Sequence, residues 1–97
     1  MTIHAMIDLE TLDTGVNSVI LTCGAIKFDP LSDAEPYAEM YHRIDVDEQT
    51  AMDRTVDEGT IAWWGTQPEE IWQEALGDED RVSVDDFIRD LQRWVVG

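Results

Sequence analysis

Two carboxylates near the start of the chain are the residues best suited to do chemistry. The stretch "AMIDLETL", residues 5–12, runs from apolar residues directly into Asp8 and Glu10, which are two positions apart. In a β-strand, residues i and i+2 point to the same face, so both carboxylates would lie side by side. Their mutual repulsion grows as water is excluded, and a divalent cation relieves it. Because hard Mg²⁺ or Mn²⁺ prefers oxygen ligands, the pattern predicts a metal site at Asp8 and Glu10.

A second Asp-x-Glu pattern shows that the spacing alone is a weak signal. Asp33 and Glu35 have the same spacing but lie in the loop sequence "DPLSDAEP", where solvation of both carboxylates is a sufficient explanation. The first pair differs because it comes at the end of a predicted strand and is followed by Thr11, a turn and a second long strand. This context favours a metal site at the first pair.

The charge balance restricts what the chain can bind. The sequence holds 6 Lys and Arg residues against 22 Asp and Glu residues, for a formal net charge of −16. Such a chain repels phosphate backbones and offers no broad basic patch, so bound cations would have to invert the local field at a nucleic-acid site. Two other interpretations stay open: a self-repelling surface without a partner, and an acidic protein that mimics the charge of DNA.

Length and cysteine content indicate one small cytoplasmic domain. The 97 residues, of which 43% are hydrophobic, suffice for one packed core, so we assign residues 1–97 to a single domain. No apolar run reaches the roughly 18–20 residues of a membrane span, and the start lacks the basic segment of a signal peptide. Cys23 has no second cysteine to pair with, which favours a reducing compartment.

Three strands are predicted in the first half. The first covers Ile3 to Leu9, and its nearly continuous apolar run predicts burial on both faces. The second covers Ser18 to Phe28 and is antiparallel to the first across a short turn. The third covers Tyr37 to Val46, where the alternation of apolar residues is imperfect. These strands would place Asp8 and Glu10 at one end of a small sheet.

Helix signals follow the strands. Asp57 can cap a short helix within "VDEGTIAWWGTQ", and Pro68 can begin a second helix that ends at Gly77. Ser83 can cap "VDDFIRDLQRWVV", whose apolar residues recur at i, i+3, i+4 and i+7, as in an amphipathic helix. The order predicts an α/β fold, a three-stranded antiparallel or mixed sheet followed by two short helices and one longer amphipathic helix.

Two segments resemble a known enzyme family. The stretch "MIDLETLDTGVNSVILTCGAIKFDP" resembles the first motif of the DEDD superfamily of 3′–5′ exonucleases, which have a ribonuclease-H-like fold. The stretch "RTVDEGTIAWWGTQPEE" is similar to a Trp-Trp segment in the branch that includes the T-even phage exonuclease A and the mycobacterial-type 3′–5′ exoribonuclease domain. The similarity covers essentially the whole chain but only the first half of the family's domain, so the resemblance implies the N-terminal half of that fold.

The resemblance also implies residue roles. Asp8 would bridge two divalent metal ions, Mg²⁺ or Mn²⁺, and Glu10 would ligate one of them. Thr11 and Leu12 would lie beside the terminal nucleotide, through backbone contact and apolar packing. The substrate of the complete domain would be the 3′ end of single-stranded RNA or DNA, in the cytoplasm, or in the host cytoplasm if the gene is phage-encoded.

The chain lacks the motifs that belong to the second half of the family's domain and that should fall after its last helix. The family's other ligands, an Asp in the second motif and an Asp in the third, and its general base, a His or Tyr in the third motif, have no counterparts here. His4 and His42 do not lie where the base is expected. We therefore expect little or no nuclease activity from the isolated 97-residue chain.

Two alternatives follow from this departure. The chain could be a small acidic interaction or inhibitor protein on half an exonuclease fold, with Asp8 and Glu10 as relics. It could also be a half that becomes active on joining a second chain. In each case the uncovered sheet edge and the apolar stripe of the last helix predict a homo-oligomer or a second protein chain as partner.

Overall fold

A computed structural model describes residues 3–97, and in this range the chain forms one antiparallel sheet followed by helices. The strands have the order β1-β2-β3 in the sheet. The elements are β1 (His4–Thr11), β2 (Ile20–Phe28), β3 (Tyr37–Arg43), α1 (Val46–Ala51), α2 (Glu58–Gly65), α3 (Glu69–Leu76) and α4 (Val84–Val96). The predicted α/β class is confirmed, and the arrangement is consistent with part of a ribonuclease-H-like fold. Among residues 3–97, no helix has the length and apolar character needed to cross a bilayer.

The register of the sheet separates two faces. Asp8 lies opposite Gly24, and Glu10 lies opposite Thr22. Gly24 in turn lies opposite Tyr41, so these residues share one face, called here the carboxylate face. The other face is covered by α4, and its core cluster contains Cys23, Ala25, Met40, Ile44 and Phe87.

A β-bulge beside Glu10 reverses this alternation in β2. One step along β1, from Glu10 to Thr11, corresponds to two steps along β2, from Thr22 to Ile20. The extra residue, Leu21, therefore turns toward the carboxylate face. There it joins a second core cluster, which holds Leu12, Val19, Leu21, Trp64 and Ala75. The bulge thus lets α2 and α3 pack directly next to the carboxylate pair.

Helix starts are set by local side chains, as predicted. The Asp57 carboxylate accepts a hydrogen bond from the Thr60 N–H at 2.8 Å, and the Ser83 hydroxyl accepts one from the Asp86 N–H at 3.1 Å. Pro68 is the N-cap of α3 rather than its first helical residue. Gly77 follows α3 with an extended backbone, so its role does not depend on a left-handed conformation.

Two predictions about the strands are wrong. The third strand ends at Arg43 instead of Val46, and the chain continues into the unpredicted helix α1. The first strand is not buried on both faces, since Met6, Ile7 and Leu9 are 60%, 49% and 46% exposed. Because β1 lies at the edge of the sheet among the described residues, its apolar side chains are covered from one side at most.

Helix α1 supplies a buried side chain that replaces strand pairing. Gln49 is 3% exposed, and its amide accepts from the Ile20 N–H at 2.8 Å while donating to the Ile20 carbonyl at 2.8 Å and the Asp45 carbonyl at 2.9 Å. Both backbone groups of Ile20 are therefore satisfied by one side chain. Without Gln49, the N–H and carbonyl groups of Ile20 would need hydrogen-bond partners from another strand.

Replacing Gln49 with alanine is expected to lower the free energy of unfolding by about 2–4 kcal/mol, because it leaves buried backbone groups without partners. Urea denaturation followed by circular dichroism measures the change. Thr50→Ala is the matched control, since Thr50 is exposed on the same helix. An equal loss in both variants would contradict this role for Gln49.

Candidate metal centre

Strand β1 brings the predicted carboxylates together on one face. Asp8 is exposed and Glu10 is half-buried, and both lie on the carboxylate face as the two-residue spacing requires. Gly24 lies beside Asp8 without a side chain, and a Cβ placed there would meet no atom within 4 Å. The floor between Asp8 and Tyr41 is therefore open.

The carboxylates line an acidic groove of about 530 Å³ between the sheet and α3. In the described part of the chain, its lining contains no Lys or Arg side chain to offset the negative charge. No ion pair among residues 3–97 involves Asp8 or Glu10. The groove is lined by Asp8, Glu10, Thr22, Gly24, Tyr41, Trp64, Glu70, Ile71, Glu74 and Ala75.

Helix α3 adds two carboxylates to the groove that we did not predict. Glu70 and Glu74 are four residues apart, so they lie on the same side of the helix. This spacing is visible in the sequence, but the direction in which α3 faces is not. That direction is set by Tyr41, whose hydroxyl donates a hydrogen bond to the Glu74 carboxylate, and by Arg43, which donates to the Glu74 carbonyl at 2.9 Å.

Two ionisable groups in the groove have shifted pKa values. Partial burial, and secondarily the nearby Asp8 charge, raise the pKa of Glu10 above its ordinary value of 4.5. Burial and the hydrogen bond to Glu74 raise the pKa of Tyr41 to about 12. Tyr41 therefore stays protonated near neutral pH and remains a hydrogen-bond donor.

The carboxylate oxygens are the right type of ligand for a hard divalent cation, but too few of them come together to complete its coordination sphere. Asp8 and Glu10 supply carboxylate oxygens, which Mg²⁺ and Mn²⁺ prefer. However, among residues 3–97 no three His, Cys, Asp or Glu side chains come together as a ligand group. Glu70 and Glu74 line the groove without joining such a group. The described residues thus provide the beginning of a coordination sphere.

Thr11 and Leu12 are held by the scaffold next to the carboxylates. The Thr11 carbonyl accepts a hydrogen bond from Trp64 Nε1 at 3.0 Å. The Leu12 N–H donates to the Val19 carbonyl at 3.0 Å, its carbonyl accepts from the Asp57 N–H at 2.8 Å, and its side chain is 5% exposed. The side chain of Leu12 is thus part of the core. Contact of Thr11 or Leu12 with a substrate stays a prediction.

The raised pKa of Glu10 predicts a pH effect on stability. The folded state binds this proton more tightly than the unfolded state, so its contribution is present below pH 4.5 and is lost as pH rises through the raised pKa. Glu10→Gln should remove this decline. Urea midpoints in a chelator-containing buffer at several pH values measure it, and Glu35→Gln controls for the loss of one negative charge. The prediction fails if both variants show the same pH dependence.

Comparison with protein families gives one match. The model of the Rv2179c-like family, described as the 3′–5′ exoribonuclease Rv2179c-like domain, matches residues 3–96. No curated protein and no solved structure matches the chain significantly. The match supports the exonuclease part of the resemblance derived from the sequence motifs.

Proposed function

The chain belongs to the Rv2179c-like 3′–5′ exoribonuclease domain family, and from this membership we propose that it supplies the first carboxylate pair of a metal-dependent 3′–5′ exonuclease site. Asp8 and Glu10 are the proposed metal ligands, with Mg²⁺ or Mn²⁺ as the ion. The substrate would be the 3′ end of single-stranded RNA, or of DNA. Thr11 and Leu12 would border the terminal nucleotide through the backbone beside the bulge.

One observation carries the proposal: two neighbouring carboxylates share a groove whose described lining contains no cationic side chain. No side chain in the described lining of the groove can therefore neutralise the charge of the two carboxylates. Since a phosphate backbone is itself negative, nucleic acid and this groove repel each other unless a cation lies between them. A metal-dependent reaction at a phosphodiester would explain how an acidic groove can act on the negatively charged substrate of the family.

The residues of the groove would act mainly by presenting carboxylate ligands to the metal ions and by leaving room beside them. When bound, divalent ions would activate water and stabilise the leaving 3′ oxygen. Asp8 and Glu10 present oxygen ligands on one face, and the open space above Gly24 leaves room beside them. Tyr41 fixes the Glu74 carboxylate against the sheet, which keeps the opposite wall of the groove in place.

Further ligands are needed, and we place them on polypeptide outside these 97 residues. The described residues bring two carboxylates into position, and two cannot hold a pair of metal ions tightly. The chain alone is therefore expected to bind Mn²⁺ weakly and to degrade RNA slowly or not at all.

Binding of Mn²⁺ tests the site directly. We expect paramagnetic line broadening in the amide NMR spectrum to centre on residues around Asp8 and Glu10. The double variant Asp8→Asn with Glu10→Gln should lose this broadening. The matched control is Asp33→Asn with Glu35→Gln, which changes the other Asp-x-Glu pair by the same charge and should leave the broadening unchanged. Broadening centred on Asp33 and Glu35 would contradict the proposal.

An end-labelled nuclease assay then tests activity. Single-stranded RNA and DNA are incubated with the 97-residue chain in Mg²⁺ or Mn²⁺, alongside Asp8→Ala. We expect no 3′-end ladder from the chain alone. A ladder that Asp8→Ala abolishes would show that copies of this chain complete the site, and would overturn the need for another polypeptide.

The charge distribution also favours a second candidate, an acidic interaction or inhibitor protein. The net charge is −16, and the arginines at positions 43, 54 and 81 donate to backbone carbonyls instead of carboxylates. Much of the acidic surface is thus left uncompensated. This candidate predicts that Asp8→Asn with Glu10→Gln leaves the chain's interaction with a partner intact, whereas the exonuclease site requires both residues.

A further inference from the structure

Gly24 is the one glycine in the three strands that the structure describes. It lies in the middle of β2, where it pairs with Asp8 in β1 and with Tyr41 in β3. A glycine inside a strand weakens it, because the backbone loses more freedom on folding and no side chain is there to pack. Its place beside the carboxylate pair therefore needs a physical explanation.

The conformation and packing of β2 do not require a glycine here. Among residues 3–97 no glycine has a positive φ, so Gly24 is not needed for a left-handed backbone. A Cβ at this position would meet no atom within 4 Å, so no described neighbour in the chain occupies the space in front of it. An alanine would fit, and most larger side chains favour a strand more than glycine does.

The open space in front of Gly24 is part of the acidic groove. Gly24 lines this groove together with Asp8 and Tyr41, and the same three residues line a smaller groove of about 200 Å³ that adjoins it on the sheet. Directly opposite residues of neighbouring antiparallel strands have Cβ atoms about 5 Å apart. A side chain at position 24 would therefore stand next to the Asp8 carboxylate.

Tyr41 is held on the other side of this space. Its hydroxyl donates a hydrogen bond to the Glu74 carboxylate on α3. Arg43, two residues farther along β3, donates to the Glu74 carbonyl at 2.9 Å. These contacts hold Tyr41 and α3 against each other, so the phenol is fixed as a wall of the groove and the space beside Asp8 stays open.

A hydrated divalent cation needs such space beside its protein ligands. Mg²⁺ usually keeps several of its water ligands when it binds to a protein through one or two carboxylates. Asp8 and Glu10 would supply the carboxylate oxygens, and water molecules would complete the coordination sphere. An apolar side chain at position 24 would displace some of this water without replacing its oxygen atoms.

We propose that Gly24 is part of the metal centre, because its missing side chain leaves room for the water ligands of a Mg²⁺ or Mn²⁺ ion bound at Asp8. This inference rests on the proposed function of the carboxylate pair. It implies that filling the space strengthens the strand and weakens metal binding. If the role of the glycine were structural alone, its replacement would not change these two properties in opposite directions.

Alanine and valine at position 24 test the proposal on the 97-residue chain. Mn²⁺ is titrated into the ¹⁵N-labelled protein, and the paramagnetic broadening of amide signals around Asp8 and Glu10 gives the dissociation constant. We expect Gly24→Val to raise this constant by about tenfold, a loss typical of changes around metal ligands, and Gly24→Ala to raise it less. In a chelator-containing buffer, the urea midpoints of both variants should equal or exceed that of the wild type.

Gly65→Ala is the matched control. Gly65 is the exposed last residue of α2, and a Cβ there also meets no atom within 4 Å. The control makes the same chemical change outside the groove and should leave the Mn²⁺ dissociation constant unchanged. If Gly24→Val does not fold, the comparison of Gly24→Ala with Gly65→Ala carries the test.

Two outcomes would overturn the inference while the proposed function stands. Unchanged Mn²⁺ affinity in folded position-24 variants would show that the ion does not need this space. A lower urea midpoint of Gly24→Ala, together with weaker Mn²⁺ binding, would show that the fold itself requires the glycine. A wild-type chain whose broadening does not centre on Asp8 and Glu10 gives a different result, because it contradicts the proposed function and this inference with it.

Discussion

Replacing Trp64 with alanine is expected to lower the free energy of unfolding by about 3–5 kcal/mol. The indole is 4% exposed and packs in one cluster with Leu12, Val19 and Leu21, the last of which the bulge turns toward α2 and α3. The substitution removes this packing and opens a cavity. It also removes the hydrogen bond from Nε1 to the Thr11 carbonyl at 3.0 Å, which fixes the strand next to Glu10.

Neighbouring variants separate packing from hydrogen bonding. Trp64→Phe keeps most of the apolar contact and should cost about 1–2 kcal/mol, because the Thr11 carbonyl loses its donor. Trp63→Ala is the matched control, since Trp63 is 54% exposed and its ring is tilted 71° to that of Trp64, with centroids 4.9 Å apart. Its loss should stay within about 1 kcal/mol. Because each variant removes a tryptophan and so changes the fluorescence, urea denaturation is followed by far-ultraviolet circular dichroism. Equal losses at both tryptophans would contradict the assignment of Trp64 to the core.

The elements with local signals were predicted from the sequence. The antiparallel pairing of β1 and β2 follows from two apolar runs and a turn, and the starts of α2 and α4 follow from Asp57 and Ser83. Helix α1 was missed because it has six residues and its buried side chain is Gln49, a polar residue. A hydrophobic pattern cannot reveal a helix whose buried contact is a set of hydrogen bonds to Ile20.

The burial of β1 was predicted wrongly for a physical reason. Its apolar run is typical of a strand between two neighbours, yet in the described structure β1 has a neighbour on one side. The sequence thus carries apolar residues that this fold leaves half-exposed.

The carboxylate pair at the centre of the candidate site could be predicted from the sequence, but the residues of the opposite wall could not. The two-residue spacing on a strand is enough to place Asp8 and Glu10 on one face. Glu70 and Glu74 reach the groove because α3 is oriented across the sheet by tertiary contacts, among them those of Tyr41 and Arg43 with Glu74. Contacts between residues some thirty positions apart leave no periodic signal in the sequence, so the opposite wall could not be derived from it.

Replacing Arg81 with methionine is the second large effect, an expected loss of about 3–5 kcal/mol in the free energy of unfolding. The guanidinium donates to four backbone carbonyls: Leu21 at 2.9 Å, Ile44 at 3.0 Å, Ala75 at 2.6 Å and Gly77 at 2.8 Å. It therefore joins the bulge of β2 and the end of β3 to the C-terminal end of α3. Burial, followed by the nearby Arg43 charge, lowers the pKa of Arg81, and it still carries the charge that strengthens these bonds.

Methionine is the informative replacement because it keeps the apolar stem and removes the donors, so the loss reports the carbonyls rather than a cavity. Arg81→Lys should recover part of the stability, since an ammonium has three donors and cannot bond all four carbonyl oxygens. Arg89→Met is the matched control: Arg89 and Asp86 form a 3.3 Å pair with both side chains 58% exposed, and its loss should stay within about 0.5 kcal/mol. Urea denaturation of all three variants at low temperature provides the measurement. If Arg81→Met is no less stable than Arg89→Met, α3 is held against the sheet by other contacts. The acidic groove would then owe its second wall to packing around Ala75 rather than to this arginine.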